Sequence, residues 1–233
     1  MDEKQIMVNK YVTKEYIKGY GLRTPETYFL GQKITKDIID WLPDEFVIKH
    51  VDGSSGDCVL VLKRDQDDQD KYIDPIGNVL TVDDLVSYEH KWKSRTFLVE
   101  ERIHSHPKLV EISEVDDAFI DFRSYIKEGR YWMSRMRVPT KSSGGLANTC
   151  RGARVFNINH GNSFVSDIFH GEDDDFIEVP YYREMEESCD RIGKIFNGID
   201  FYGVDGTIDP RGKFIVTELE CVPKLHLKDG VKL

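Results

Sequence analysis

Apolar positions recur at helical spacing near the start of the chain. Val8, Tyr11, Val12, Tyr16 and Ile17 form one stripe, which Gly19 and Gly21 end, so the spacing predicts a first helix there. A short strand is expected over 27–30, after Thr24-Pro25, and a second helix over 35–41, closed by Pro43. The run Phe46-Val47-Ile48-Lys49-His50-Val51 reads as a strand, Asp52-Gly53-Ser54-Ser55-Gly56 as the loop of a hairpin, and 58–62 as the return. Residues 65–71 are expected as a solvated acidic loop, followed by a short helix over 82–90 and a strand over 96–103. Strands over 118–126 and 130–138 flank the turn Lys127-Glu128-Gly129. A Gly/Ser/Asn-rich stretch, 142–152, precedes a strand over 155–158, and 171–175 is expected as a second acidic loop. The best long helix covers 182–196, with Met185, Cys189, Ile192 and Phe196 on its inner face. A hairpin closes the chain, with strands over 202–208 and 213–221 about Asp209-Pro210-Arg211-Gly212. No internal repeat or flexible linker interrupts this order, which predicts an α+β fold of two lobes sharing a cleft.

The length, 233 residues, suits one large domain or two small lobes with a real core. The formal charge of −10 disfavours broad capture of nucleic acid or an anionic membrane and leaves a local basic pocket open. Extended nucleic-acid contact is therefore not expected, while a free or flipped nucleotide as acceptor stays open. No apolar run approaches the ~20 residues that cross a bilayer, and the polar start does not read as a signal peptide, so a cytoplasmic protein is expected. Cys58, Cys150, Cys189 and Cys221 have no metal-site spacing and read as buried free thiols. His104 and His106 read as an exposed loop rather than a metal pair, and His160 as a turn residue. Tyr131 and Trp132 are expected in the core or between the lobes.

Three stretches carry candidate chemistry. In FVIKHVDGSSGDCVLV, a glycine-rich hairpin would let backbone N–H groups approach phosphate oxygens, with Lys49 beside them; an ordinary β-turn explains the loop as well. In YGVDGTIDPRGKFIVTELECVP, Glu218 and Glu220 are two apart on a strand and share a face, to which Asp205 can be brought by cross-strand pairing. Three hard oxygen ligands beside phosphate suit Mg²⁺, and Leu219 places this strand in the core rather than at a solvated rim. In the third stretch, Arg123, Arg135 and Arg137 alternate along two strands before a loop with Asn148, Arg151 and Arg154, a pattern that fits an anion-facing cleft or an exposed sheet edge.

In this order the motifs resemble the ATP-grasp superfamily, in its glutathione-synthetase and glutamate-ligase-like branch and its surface-polymer-biosynthesis proteins. The resemblance covers about Asn9 to Pro223. It implies one ATP-grasp domain over 1–233, with approximate lobes at 27–100 and at 1–26 plus 101–233. It implies ATP and Mg²⁺ (or Mn²⁺) as cofactors. Lys10 and Lys49 would contact ATP phosphates beneath a mobile lid of Gly53, Ser54, Ser55 and Gly56. Glu100, Glu101, Arg102 and Ile103 match the adenine-holding hinge strand, Asp121 and Arg123 the D-x-R strand, Arg137 with Pro139 the R-x-P step, and Asn148 the asparagine before Gly-Gly, here Gly152-Ala153. Asp205, Glu218 and Glu220 match the magnesium ligands. The implied reaction joins a carboxylate to an amine through an acyl phosphate. Its rivals are a phosphotransferase and a non-catalytic nucleotide-binding module. Glu220 stands where the family often has asparagine, and Cys221-Val222-Pro223-Lys224 replaces the usual proline-glycine turn. Relatives commonly carry a further α/β domain before the grasp lobes, so the resemblance also implies an acceptor site completed by the acceptor, a protein partner or a second copy.

Overall fold

Two antiparallel sheets organise the chain in the computed structural model, which describes residues 2–52, 59–87, 96–159, 161, 163–167 and 177–221. The smaller sheet is built from β1 (Thr27–Gly31), β2 (Glu45–His50), β3 (Leu60–Arg64), β4 (Lys71–Ile73), β5 (Val79–Thr81) and β6 (Phe97–Glu101), in the order β1-β6-β2-β3-β4-β5. The larger contains β7 (Asp121–Lys127), β8 (Arg130–Val138), β9 (Arg154–Asn159), β10 (Phe164–Asp167), β11 (Ile177–Glu178), β12 (Phe201–Ile208) and β13 (Phe214–Glu220), in the order β11-β10-β9-β8-β7-β12-β13. The helices are α1 (Glu3–Val8), α2 (Lys10–Lys18), α3 (Lys36–Trp41), α4 (Val82–Ser87), α5 (Pro107–Val110) and α6 (Tyr182–Ile195).

Each sheet buries one face and turns the other to a cleft, as the period of two along a strand requires. Phe46, Ile48, Phe97 and Val99 pack with Ile39 of α3 and Leu85 of α4 in the smaller core, while Val47, Lys49 and Glu100 point the opposite way. In the larger sheet Phe122, Met136, Phe156 and Val204 share a core with α6, whose Met185, Cys189 and Ile192, and the Phe196 that follows it, are all fully buried. The alternate residues Arg123, Arg135 and Asp205 are left facing the cleft.

The β7–β8 hairpin turns through Glu128 (φ 52°) and Gly129 (φ 74°), both left-handed, as a two-residue loop matching strand twist demands. α6 crosses this turn at Gly193, where a Cβ would stand 2.2 Å from the Gly129 carbonyl oxygen and 2.6 Å from its carbon. That neighbour is backbone and cannot step aside. Gly193→Ala is therefore expected to destabilise the protein by about 1–3 kcal/mol, the range for overpacking. Urea denaturation checks this, and unchanged stability would contradict the close approach.

Several expectations are corrected. The N-terminal helix is two helices broken at Asn9, whose side chain accepts from Val12 N–H at 3.0 Å and caps α2. The buried residues of α2 are Lys10, Thr13, Lys14 and Ile17; Val12, Tyr16 and Ile17 of the expected stripe do pack on the larger core, whereas Val8, at the end of α1, is 65% exposed. Lys71 opens β4 instead of ending a loop, and β4, β5, β10, β11 and α5 were not anticipated; all are five residues or shorter, below the length at which periodicity speaks. The returning strand starts at Leu60, the β6 strand is confined to Phe97–Glu101, and β7 begins at Asp121. The thiols are not uniformly buried: Cys150 is exposed and Cys221 intermediate, whereas burial pushes the Cys189 thiol up to about 12. Cys58, His160 and the loop 171–175 lie outside the described residues.

The His104 loop is not a freely exposed one. The His104 ring lies between Glu45 (3.0 Å) and Asp117 (2.8 Å), and the bond to Asp117 raises the imidazole pKa. Arg102 lies across the same two acids, at 2.7 Å from Asp117 and 3.5 Å from Glu45. Tyr131 is in the larger core and Trp132 packs edge-on against Phe201.

Candidate active site

A cavity of about 340 Å³ lies between the cleft faces of the two sheets. Asp205 of β12 and Glu218 of β13 are directly paired across strands, and Glu220 pairs with Gly203 one step further along the same face. Beyond Glu218 the register slips, leaving Thr217 as an extra residue on β13 opposite Asp205/Gly206. The bulge brings both Thr217 and Glu218 to the cavity while Val216 and Leu219 stay in the core. Three carboxylates thus share one wall, as the spacing predicted for Glu218 and Glu220.

Each of these acids is held by a cation. Arg123 forks onto Asp205, donating from Nε to Oδ1 at 2.8 Å and from Nη2 to Oδ2 at 2.6 Å, and its Nη1 lies 2.5 Å from Glu220 Oε2. Arg137 donates to Asp205 Oδ2 at 2.8 Å and also pairs with Asp121, its cross-strand neighbour. Lys10 Nζ is 3.1 Å from Glu218 Oε1. The electrostatics follow. Burial alone would raise Asp205, but Arg123 and Arg137 outweigh it and hold the carboxyl well below the usual range. Burial pushes Asp121 up to about 7, with Asp205 adding to the push and Arg137 opposing it. Glu218 and Glu220 are raised, first by burial.

Across the cavity Lys49, from β2, lies 3.5 Å from the Thr217 carbonyl oxygen and forms an ion pair with Glu100. Glu100, Glu101, Arg102 and Ile103 run along the wall at the end of β6, where Glu101 accepts from the Glu26 N–H at 3.1 Å. Asn148 caps the short turn Thr149–Arg151, accepting from Cys150 N–H at 2.9 Å, and Gly152 (φ 97°) closes it. That cap sets the loop against the cavity and gives Asn148 a structural task besides any chemical one. Of the described residues matched to the ATP-grasp motifs, Lys10, Lys49, Glu100 to Ile103, Asp121, Arg123, Arg137, Asn148, Asp205, Glu218 and Glu220 border this one cavity, whereas Arg151 and Arg154 of the arginine pattern do not line it. Gly53, Ser54, Ser55 and Gly56 lie outside the described residues.

The sequence pattern marks Arg135 only as one of the alternating arginines, without a role of its own, and does not single out Lys14. Arg135 borders the cavity opposite Arg123, with its guanidinium 5.9 Å from the Tyr125 ring centroid. Its place in the arginine alternation was the available signal. Lys14 is buried against Glu100, and its spacing of four from Lys10, one helical turn, could have found it.

A family profile described as sugar-transfer associated ATP-grasp matches residues 2–229. The chain belongs to that family. No curated protein matches the sequence at a significant level. Among solved structures, D-alanine–D-alanine ligase from Bacillus anthracis aligns with TM-score 0.56 and 15% identity over 95% of this chain and 59% of its own. The ATP-grasp ligase PsnB, complexed with a precursor variant, Mg and ADP, gives 0.53 and 13% over 95% and 52%. N5-carboxyaminoimidazole ribonucleotide synthetase from Thermotoga maritima gives 0.51 and 14% over 95% and 44%. The fold is therefore ATP-grasp, and the chain spans only about half the length of these enzymes. The Bacillus anthracis enzyme has also been solved complexed with ATP, and the PsnB complex holds Mg and ADP. The donor chemistry fits: three carboxylates on one wall suit a hard divalent cation, and lysines and arginines around them suit phosphate oxygens. Among the described residues, no helix is long and apolar enough to cross a membrane.

Proposed function

We propose that this protein is an ATP-dependent carboxylate–amine ligase that forms an amide through an acyl phosphate. The observation that carries the reading is the shared wall of Asp205, Glu218 and Glu220, with Arg123, Arg137, Lys10 and Lys49 around the same cavity. In this reading the single domain spans 1–233, with lobes 27–100 and 1–26 plus 101–233.

Asp205, Glu218 and Glu220 would hold Mg²⁺, which neutralises phosphate charge when bound. Lys10 and Lys49 bind phosphate oxygens, and Glu100 to Ile103 border the adenine. Arg123 and Arg137, now resting on Asp205, Asp121 and Glu220, are the cations that a transferring phosphoryl group needs. The γ-phosphoryl group passes to a carboxylate oxygen and ADP leaves. The amine nitrogen then attacks the acyl carbon, loses a proton, and inorganic phosphate departs with the oxygen that came from the carboxylate. Asn148 is placed on the loop that borders this centre. The solved neighbours include a D-alanine–D-alanine ligase and a ligase complexed with a precursor peptide, and the reading leaves a small-molecule or a macromolecular acceptor open.

The test supplies ATP, Mg²⁺, and pools of ¹⁸O-labelled carboxylates and of amines. ADP release that needs both pools, with ¹⁸O appearing in phosphate and an amide in the mass spectrum, is the expected result. ADP release with a stable phosphorylated product and no need for an amine would replace the ligase with a phosphotransferase.

A further inference from the structure

Lys14 takes no part in the chemistry proposed for the cavity, yet its side chain is only 1% exposed. It follows Lys10 by one turn of α2, which packs on β13, and reaches across to the smaller sheet. There its Nζ pairs with Oε2 of Glu100, while Lys49 Nζ pairs with Oε1 of the same carboxylate. One carboxylate, 3% exposed, thus serves two lysines. The two differ in outlook: Lys49 and Glu100 border the cavity, and Lys14 stands behind the wall.

We propose that Lys14 is a positioning residue, the fixed counter-ion of Glu100 that allows Lys49 to leave Glu100 for a nucleotide phosphate. The inference rests on the nucleotide site proposed above. An ammonium that moves to a phosphate gives up much of its hold on a carboxylate. Were Lys49 the sole partner of Glu100, its departure would strand a charge in a site with almost no access to water, and the cost would be charged against nucleotide affinity. The second lysine removes that cost because it occupies the other oxygen and does not border the cavity that the phosphates would enter. It also explains why a lysine is tolerated where burial, the largest influence, pulls its pKa down: Glu100 opposes that pull, and Lys49 adds to it only while it remains in place. Since α2 packs on β13 and Glu100 belongs to β6, the same pair ties the two sheets together on the side where Lys49 must act.

The experiment compares affinities for Mg²⁺·AMPPNP and for adenosine in wild type, Lys14→Met, Lys14→Arg, Glu100→Gln and the double variant Lys14→Met/Glu100→Gln. Lys14→Met is expected to weaken AMPPNP binding by on the order of tenfold or more. Adenosine, which has no phosphates, should bind as in wild type, a split that general loosening of the fold would not give. Lys14→Arg should retain most of the affinity. The double variant, whose amide needs no counter-ion, should bind AMPPNP within about threefold of Glu100→Gln. If Lys14→Met does not fold, the double variant still decides, because the proposal requires it to fold and bind. Equal AMPPNP affinity in wild type and Lys14→Met, or a double variant no better than Lys14→Met, overturns the inference and leaves the nucleotide site standing. No AMPPNP binding by wild type removes the proposed site and this inference with it.

Discussion

Glu218→Gln is expected to bind nucleotide and to turn over at least roughly 100- to 1000-fold more slowly than wild type. The substitution preserves volume and an oxygen that can accept from Lys10, which lies 3.1 Å from Oε1. What it removes is one negative charge from a wall where Asp205 and Glu220 supply the others. Glu218 would help to hold Mg²⁺, which would supply charge neutralisation to the phosphates; a missing carboxylate would matter more as charge develops during transfer than in the resting complex, so the loss should fall on kcat. The residues proposed to border adenine lie at the end of β6, on the opposite sheet, and the substitution does not touch them. ADP release and AMPPNP affinity, measured together, check both halves. A variant with wild-type turnover would exclude Glu218 from the metal site.

Arg123→Ala is expected to cost about 3 kcal/mol of stability at neutral pH, because it strips a bidentate partner from a buried carboxylate. Among the described residues Asp205 would keep Arg137, and Glu220 would lose the guanidinium that now lies 2.5 Å away. The pH dependence has a definite sign. Asp205 has a folded-state pKa below its unfolded one, so its stabilising contribution is present above about pH 4 and is lost as pH falls through the depressed value. The variant has less of that contribution to lose. The gap between wild type and Arg123→Ala should therefore be widest near pH 7 and narrow below pH 4. Urea midpoints at several pH values check this, and a pH-independent gap would mean that Arg123 acts by packing alone.

Legibility from sequence followed the strength of local patterns. The terminal hairpin was readable because Glu218 and Glu220 flank a buried Leu219, and cross-strand pairing does bring Asp205 opposite Glu218. The bulge at Thr217 was not readable, since one extra residue leaves no periodic trace. α6 was readable because four apolar residues at helical spacing face one core. α2 was readable only in part: Val12, Tyr16 and Ile17 pack on the core as their spacing predicts, but the buried Lys10 and Lys14 face acids on distant strands, which no local pattern announces. Asn148 shows a different limit, because a helix-cap role and a site role look alike in sequence. The arginines could be placed on a common face but not matched to Asp205, Asp121 and Glu220, since those pairings depend on strand order in the sheet.

The most direct measurement is calorimetric titration of the protein with AMPPNP, with and without Mg²⁺. The cavity account predicts binding that Mg²⁺ strengthens. It also predicts a stabilisation of about 2.7 kcal/mol at a hundred-fold excess of nucleotide over Kd. No heat and no stabilisation with any nucleotide, at any Mg²⁺ concentration, would contradict it.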